Sequence, residues 1–227
     1  MNELPVITPL SEFAVLVCTG TEMTPDNNDR VLSLFRQLQH LHLPGLLDVI
    51  PAYNTLTLVL DPRLLDLAAP GTDPVLIVRN WIDQALRSVN QSAQQSVCVE
   101  IPVVYNHPDT PDLLRLSDRL RLPPEEIIRL HTAATYRVYM LGFLPGFPYL
   151  GLLDKRLSAP RLERPRVRVP AGSVAIAGRQ TGVYPLASPG GWNLIGKTSV
   201  RLYDPAREQP TLLRPGDSVR FIAVPEL

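Results

Sequence analysis

The run Gly142-Phe143-Leu144-Pro145-Gly146-Phe147-Pro148-Tyr149-Leu150-Gly151 places three glycines, two prolines and three of the chain's 14 aromatic residues (Trp 2, Tyr 7, Phe 5) in ten positions. Proline removes a ladder donor and glycine weakens a strand, so this composition argues against a core strand. A dispensable surface loop would not carry Phe143, Phe147 and Tyr149. The run reads as a constrained loop holding apolar rings in place, as a pocket wall or an interface does; the alternative is a rigid turn that plugs its own core. Two further loops bring polar groups. Gly178 to Pro185 offers Gln180, Thr181 and Tyr184. Ser188 to Trp192 offers a hydroxyl, the backbone amides of Gly190 and Gly191, and an indole. Glycine loops of this kind can present N–H groups to an anion.

His131 falls near the end of an expected helix, just ahead of the strand that feeds the Gly142 loop. It either complements the helix C-terminus as a cation or lines the pocket wall as a polar group. The basic run Arg161, Arg164, Arg166 and Arg168 reads as a charge-protected edge strand or as a site for a phosphate or an acidic partner. Gly191 through Gly196-Lys197-Thr198 matches GxxxxGK[ST] formally. A P-loop needs a strand before the glycines and a helix after them, whereas a strand-like run follows here, so the match is read as accidental. No Ser-His-Asp order, CxxC pair or HExxH helix is present. The pocket is expected to hold a small molecule or to seat a loop of a partner protein.

Twenty-two basic and 22 acidic residues balance, leaving no domain-scale positive field, so nucleic acid is not an expected partner. No apolar stretch approaches the length of a membrane span, and the N-terminus lacks the pattern of a secretion signal, so a cytoplasmic protein is expected. Cys18 and Cys98 lie in apolar strand-like runs and are expected to be buried free thiols; neither has metal-ligand spacing, and no metal site is expected. The 24 prolines are dispersed among apolar runs, which indicates fixed turns.

The positioning elements follow from periodicity. Ser11 to Thr19 reads as a buried strand. Thr24-Pro25 starts a helix with apolar positions at Val31, Leu34, Phe35, Leu38 and Leu41. Leu46 to Ala52 and Thr55 to Leu60 read as a hairpin. Thr72-Asp73-Pro74 starts a second helix with Val78, Trp81, Ile82, Ala85, Leu86 and Val89 inward. Ser96 to Tyr105 reads as another strand. This β-α-β-β-α-β order predicts a ferredoxin-like module. Short helices follow over 110–132, then a strand from Thr135 to Leu141. Beyond it lie short strands at 167–169, 173–177, 194–195, 199–203 and 218–222, separated by Pro/Gly turns, which indicates a β-sandwich or barrel. The overall expectation is an α+β protein with an N-terminal α+β domain over 1–95 and a β-rich domain over 96–227.

From Leu130-His131-Thr132 and Tyr136-Arg137-Val138 through the Gly142 loop, the chain resembles a known family. The likeness continues through Pro160-Arg161, Pro165-Arg166, Val169 to Val174, Gln180 to Pro185, Ser188 to Trp192, Ile195-Gly196 and Pro215-Gly216-Asp217. The family is that of the 5-oxoprolinase B subunit, also labelled allophanate hydrolase subunit 1, and it includes the kinase inhibitor KipI. The N-terminal third agrees more loosely, mainly at Val49 to Tyr53. The resemblance implies a cyclophilin-like barrel after the α+β domain. It also implies ATP-dependent opening of 5-oxo-L-proline to L-glutamate, with ATP as co-substrate and the enzyme's A and C subunits as partners. His131 would be the polar, candidate catalytic group of the pocket. Phe143, Phe147 and Tyr149 would line it, and Gln180, Thr181, Tyr184, Ser188, Gly190, Gly191 and Trp192 would supply hydrogen bonds and a stacking surface. Alternatives within the resemblance are a KipI-like inhibitor of a histidine kinase and a component of a urea- or allophanate-processing carboxyltransferase system. The chain departs from the family at Asn106 to Pro111, at Arg179 and at Cys18.

Overall fold

The structure is a computed structural model describing residues 5–63, 73–87, 96–105 and 108–226. It divides into two compact units, Met1–Gln95 and Ser96–Leu227.

In the first unit, strands β1 (Val6–Ser11), β2 (Ala14–Cys18), β3 (Leu46–Pro51) and β4 (Thr55–Leu60) form one antiparallel sheet in the order β1-β2-β4-β3. Helix α1 (Pro25–His40) begins as the Thr24-Pro25 signal predicts: the Thr24 hydroxyl accepts the Asn27 N–H at 3.2 Å. Helix α2 (Pro74–Arg87) buries Val78, Trp81, Ile82 and Ala85. Both helices share an apolar core with Val15, Val17, Leu56 and Leu58 of the sheet. Leu86, expected on the inward face of α2, is exposed. Val89 and Thr72 lie outside the described residues.

The ferredoxin-like expectation is not met among these elements. Val6–Ser11 is a strand without a counterpart in that plan. The strand expected to complete the module, β5 (Cys98–Tyr105), pairs in the second unit instead. Its residues Cys98 to Val103 run parallel to β13 (Ser218–Ala223), from Ser218↔Cys98 to Ala223↔Val103, a partnership more than a hundred residues away that local pattern could not assign.

The second unit is built on a closed seven-stranded barrel ordered β10-β7-β6-β13-β5-β12-β9. Its remaining strands are β6 (Thr135–Leu141), β7 (Pro148–Gly151), β9 (Ser173–Ala177), β10 (Gln180–Val183) and β12 (Asn193–Lys197). A two-stranded ribbon of β8 (Arg166–Val169) and β11 (Ser188–Gly190) stands apart from the barrel ladder. Helices α3 (Asp112–Leu120) and α4 (Pro124–Thr132) bury Leu113, Leu116, Ile127 and Leu130 in the barrel core.

Four expectations change here. Pro148–Gly151, read as loop, is a barrel strand; its proline is the first residue of the strand, where a missing donor is tolerated. The Gly178 to Pro185 run is largely strand β10, in a hairpin with β9 whose turn uses Gly178 at φ 56°. Ser199 to Tyr203 is not a strand; only Tyr203 makes an isolated bridge, to Thr211. Cys98 is exposed and Cys18 half-buried, so neither is the buried thiol expected, although both are free. Cys98 is the first residue of its strand.

Candidate functional site: an aromatic cup on the barrel wall

Side-chain alternation on the barrel strands separates two environments. On β9, Val174 and Ile176 face the barrel core, while Ala175 and Ala177 face a second apolar cluster. β12 divides the same way between Ile195 and Leu194, and β7 between Leu150 and Tyr149. The small alanines leave room on the outer side for Phe147, Tyr184 and Trp192. Those rings meet edge to face, with centroids 5.2 Å apart for Phe147–Tyr184 and 5.5 Å for Phe147–Trp192.

These rings floor a cavity of about 280 Å³ lined by Phe143, Phe147, Tyr149, Arg161, Pro165, Tyr184, Pro189, Gly190, Gly191 and Trp192. The β6–β7 connection is held by Gly142 N–H to Phe147 O at 3.2 Å and Phe147 N–H to Leu144 O at 3.0 Å. Phe143 is 60% exposed at φ 68°, a conformation a bulky side chain rarely adopts, and it stands over Phe147 at 5.6 Å. Gly190 is required by close approach: a Cβ there would overlap the Tyr184 hydroxyl.

Arg161 brings the charge. Leu162 N–H donates to Gly191 O at 2.7 Å, which fastens the Arg161 segment beside the Ser188 to Trp192 loop. The Arg161 guanidinium lies 6.0 Å from the Trp192 ring centroid, at the outer range of a cation–π contact. Burial raises the Tyr184 and Tyr149 phenols above their ordinary value, against an opposing pull from Arg161. Both are therefore neutral donors near pH 7. Among the described residues, the lining includes no carboxylate, histidine, lysine or cysteine. The cup can bind and orient a small, partly apolar anion, and its lining supplies no general base.

The sequence-derived candidates separate accordingly. Phe143, Phe147, Tyr149, Tyr184, Gly190, Gly191 and Trp192 converge on the cup. His131, Gln180, Thr181 and Ser188 do not line it. The Ser188 hydroxyl donates to its neighbour's carbonyl, Pro189 O, at 3.0 Å.

His131 is 0% exposed, on the opposite side of the barrel wall from the cup. The Thr181 hydroxyl donates to Ala175 O at 3.1 Å, so its oxygen receives the His131 Nε2–H at 2.8 Å. His131 Nδ1 is then the acceptor for the Tyr105 hydroxyl at 2.7 Å. Its ring stacks on Phe221 at 4.6 Å, and its carbonyl accepts from Tyr136 Oη at 2.8 Å. Burial lowers its pKa to about 3. His131 is thus neutral and satisfied at both nitrogens. The pocket placement expected for it is corrected: a helix end near the Gly142 loop in sequence delivers its side chain into the barrel interior.

Sequence reasoning did not place Arg161 and Pro165 in the cup. The signal for them in the sequence is the basic run Arg161 to Arg168, whose anion-site alternative points to this region. The Walker-like match is strand β12, with Lys197 Nζ 3.1 Å from Asp109 Oδ2 and Thr198 buried, so it forms no phosphate loop.

Residues 5–213 match the family described as Carboxyltransferase domain, subdomain C and D. The chain is also 42% identical over 214 residues to the B subunit of 5-oxoprolinase from Escherichia coli O157:H7, covering 94% of this chain and 93% of that protein. It is 40% identical to the B subunit of 5-oxoprolinase from Bacillus subtilis (strain 168), over 97% of this chain and 93% of that one. The chain belongs to the carboxyltransferase-domain subdomain C and D family. Among solved structures, it resembles TTHA0988 with a TM-score of 0.79 and 42% identity, covering 95% of this chain and 40% of that one. The chain therefore spans well under half of that larger polypeptide. The Kluyveromyces lactis urea carboxylase shares the fold, at TM-score 0.72 and 18% identity over 97% of this chain and 22% of that one. The segments from Gly142 to Gly151 and from Ser188 to Trp192, both within the matched residues 5–213, supply most of the cup's lining.

Proposed function

We propose that this chain is the B subunit of an ATP-dependent 5-oxoprolinase, acting with the A and C subunits to open 5-oxo-L-proline to L-glutamate. The observation that carries this reading is the likeness, near 40% over almost the full chain, to proteins named as the B subunit of 5-oxoprolinase. The cup supports it. A five-membered lactam fits a cavity of about 280 Å³, its ring against Phe147 and Trp192 and its carboxylate toward Arg161. Tyr149 and Tyr184 are neutral donors for the amide oxygen.

Lactam opening needs activation. ATP would transfer its terminal phosphoryl group to the amide oxygen, releasing ADP. Water would then attack the amide carbon, the C–N bond would break with a proton passing to the departing amine, and a second water would hydrolyse the resulting acyl phosphate to glutamate and phosphate. The cup's lining offers orientation and a cation for these steps but no group to activate water, which argues for a site shared with another chain of the complex. The barrel is of the cyclophilin type in this reading, and the complex is cytoplasmic. His131 has no acid–base role in it.

The test is kinetic. Arg161→Met in the reconstituted complex raises the KM for 5-oxoproline at least tenfold while the variant chain keeps its thermal stability. An unchanged KM removes the cup as the lactam site.

A further inference from the structure

Arg161 lines a second cavity as well as the cup. This one, of about 510 Å³, is formed by Pro111, Asp112, Pro160, Leu162 and Glu163 with five arginines: Arg115, Arg119, Arg161, Arg164 and Arg166. Among the described lining residues, five cations against two acids leave three positive charges uncompensated.

The floor of this groove is fixed. Asp112, 3% exposed, accepts the Leu194 N–H at 2.8 Å, Arg166 Nη2 at 2.7 Å and Arg115 Nη2 at 3.3 Å. Arg115 is pinned again by Asn193 Oδ1 at 2.5 Å, and Asn193 donates to Pro160 O and Ile176 O. Two guanidinium groups are thus oriented by the barrel wall before any ligand arrives. One donor is left over: Arg166 Nη1 is buried and has no hydrogen-bond partner. A buried, charged N–H without an acceptor is costly, and an oxyanion would supply what is missing. Arg119, Arg161 and Arg164 form no ion pair among the described residues.

A single carboxylate occupies one or two guanidinium forks. The forks of Arg119, Arg161 and Arg164, with the spare Arg166 donor and three net charges, match an extended polyanion, and guanidinium geometry suits phosphate oxygens. We propose that this groove binds the phosphate chain of a nucleoside triphosphate, with Arg161 at its junction with the cup. The proposal rests on reading the chain as part of an ATP-consuming enzyme. It places the transferable phosphoryl group beside the lactam site and gives Arg161 contact with both ligands.

Calorimetric titration of the full chain with inorganic triphosphate and with ATP tests this directly. Both bind the wild type and compete with each other. Arg119→Ser combined with Arg164→Ser, two exposed positions without structural partners, weakens both roughly tenfold or more. The melting temperature of that variant stays unchanged. Arg166→Lys, which keeps the charge but loses the fork, also weakens both. Absence of triphosphate binding to the wild type, or equal affinity in the double variant, overturns the proposal. In the reconstituted complex, the double variant raises the KM for ATP and leaves that for 5-oxoproline unchanged. An active complex with an unchanged KM for ATP defeats the groove while sparing the 5-oxoprolinase reading. An inactive complex whose chain still binds triphosphate through these arginines does the reverse.

Discussion

Tyr105 Oη and His131 Nδ1 lie 2.7 Å apart inside the barrel, joining β5 to the end of α4. With Thr181 on the other ring nitrogen, the histidine links two strands on different arcs of the barrel to one helix. That network is a fastening rather than a reactive centre, because each donor has an acceptor and no solvent reaches it.

His131→Ala should therefore destabilise the fold. It creates a cavity, leaves the Tyr105 hydroxyl without its acceptor and removes the N–H that Thr181 receives, at a cost of about 2–4 kcal/mol. Urea denaturation measures it. A variant with wild-type stability and no activity would instead restore a catalytic role.

The same residue predicts a pH effect. Its native pKa is about 3, below the ordinary 6.5. Between those values the unfolded chain binds a proton that the native chain does not. The stability contributed by the neutral, buried ring is fully present above pH 6.5 and lost as pH falls toward 3, at about 1 kcal/mol per pH unit. The stability gap between wild type and His131→Leu should accordingly be smaller at pH 5 than at pH 7. An equal gap at both pH values would mean that His131 titrates as an exposed histidine does.

Much of this was legible in local pattern. The Thr24-Pro25 start, the Leu46 to Leu60 hairpin and the Thr135 to Leu141 strand depend on capping, turn chemistry and periodicity, and each stands in the structure within a few residues. The barrel's closure was not legible, since β5 finds β13 only in three dimensions. The cup's rings were visible as a local concentration. Which side of the wall His131 faces was not, because the residues that decide it, Tyr105 and Thr181, lie 26 and 50 positions away. Pro148–Gly151 misled because proline and glycine counts describe the hairpin turn and the strand together.

Asp112 holds the arginine groove together. Asp112→Ala strips the buried partner from Arg166 and the acceptor from Leu194 N–H, and should cost about 3–5 kcal/mol. Asp112→Asn keeps an acceptor for Leu194 and should cost less. Chemical denaturation of the two variants orders them; equal, negligible losses would show the pair to be incidental.

Gly190→Ala should push the Tyr184 ring out of the cup wall, since the new methyl group would occupy the space of its hydroxyl. Stability should fall by about 1–3 kcal/mol, with a higher KM for 5-oxoproline. A fully stable variant with normal KM would show that the wall relaxes freely.

The central claim is tested most directly by glutamate release from 5-oxoproline and ATP in a reconstituted mixture of this chain with the A and C subunits, each omitted in turn. The account predicts turnover only when all three are present, and turnover that Arg161→Met reduces through KM. Undiminished turnover without this chain would contradict it.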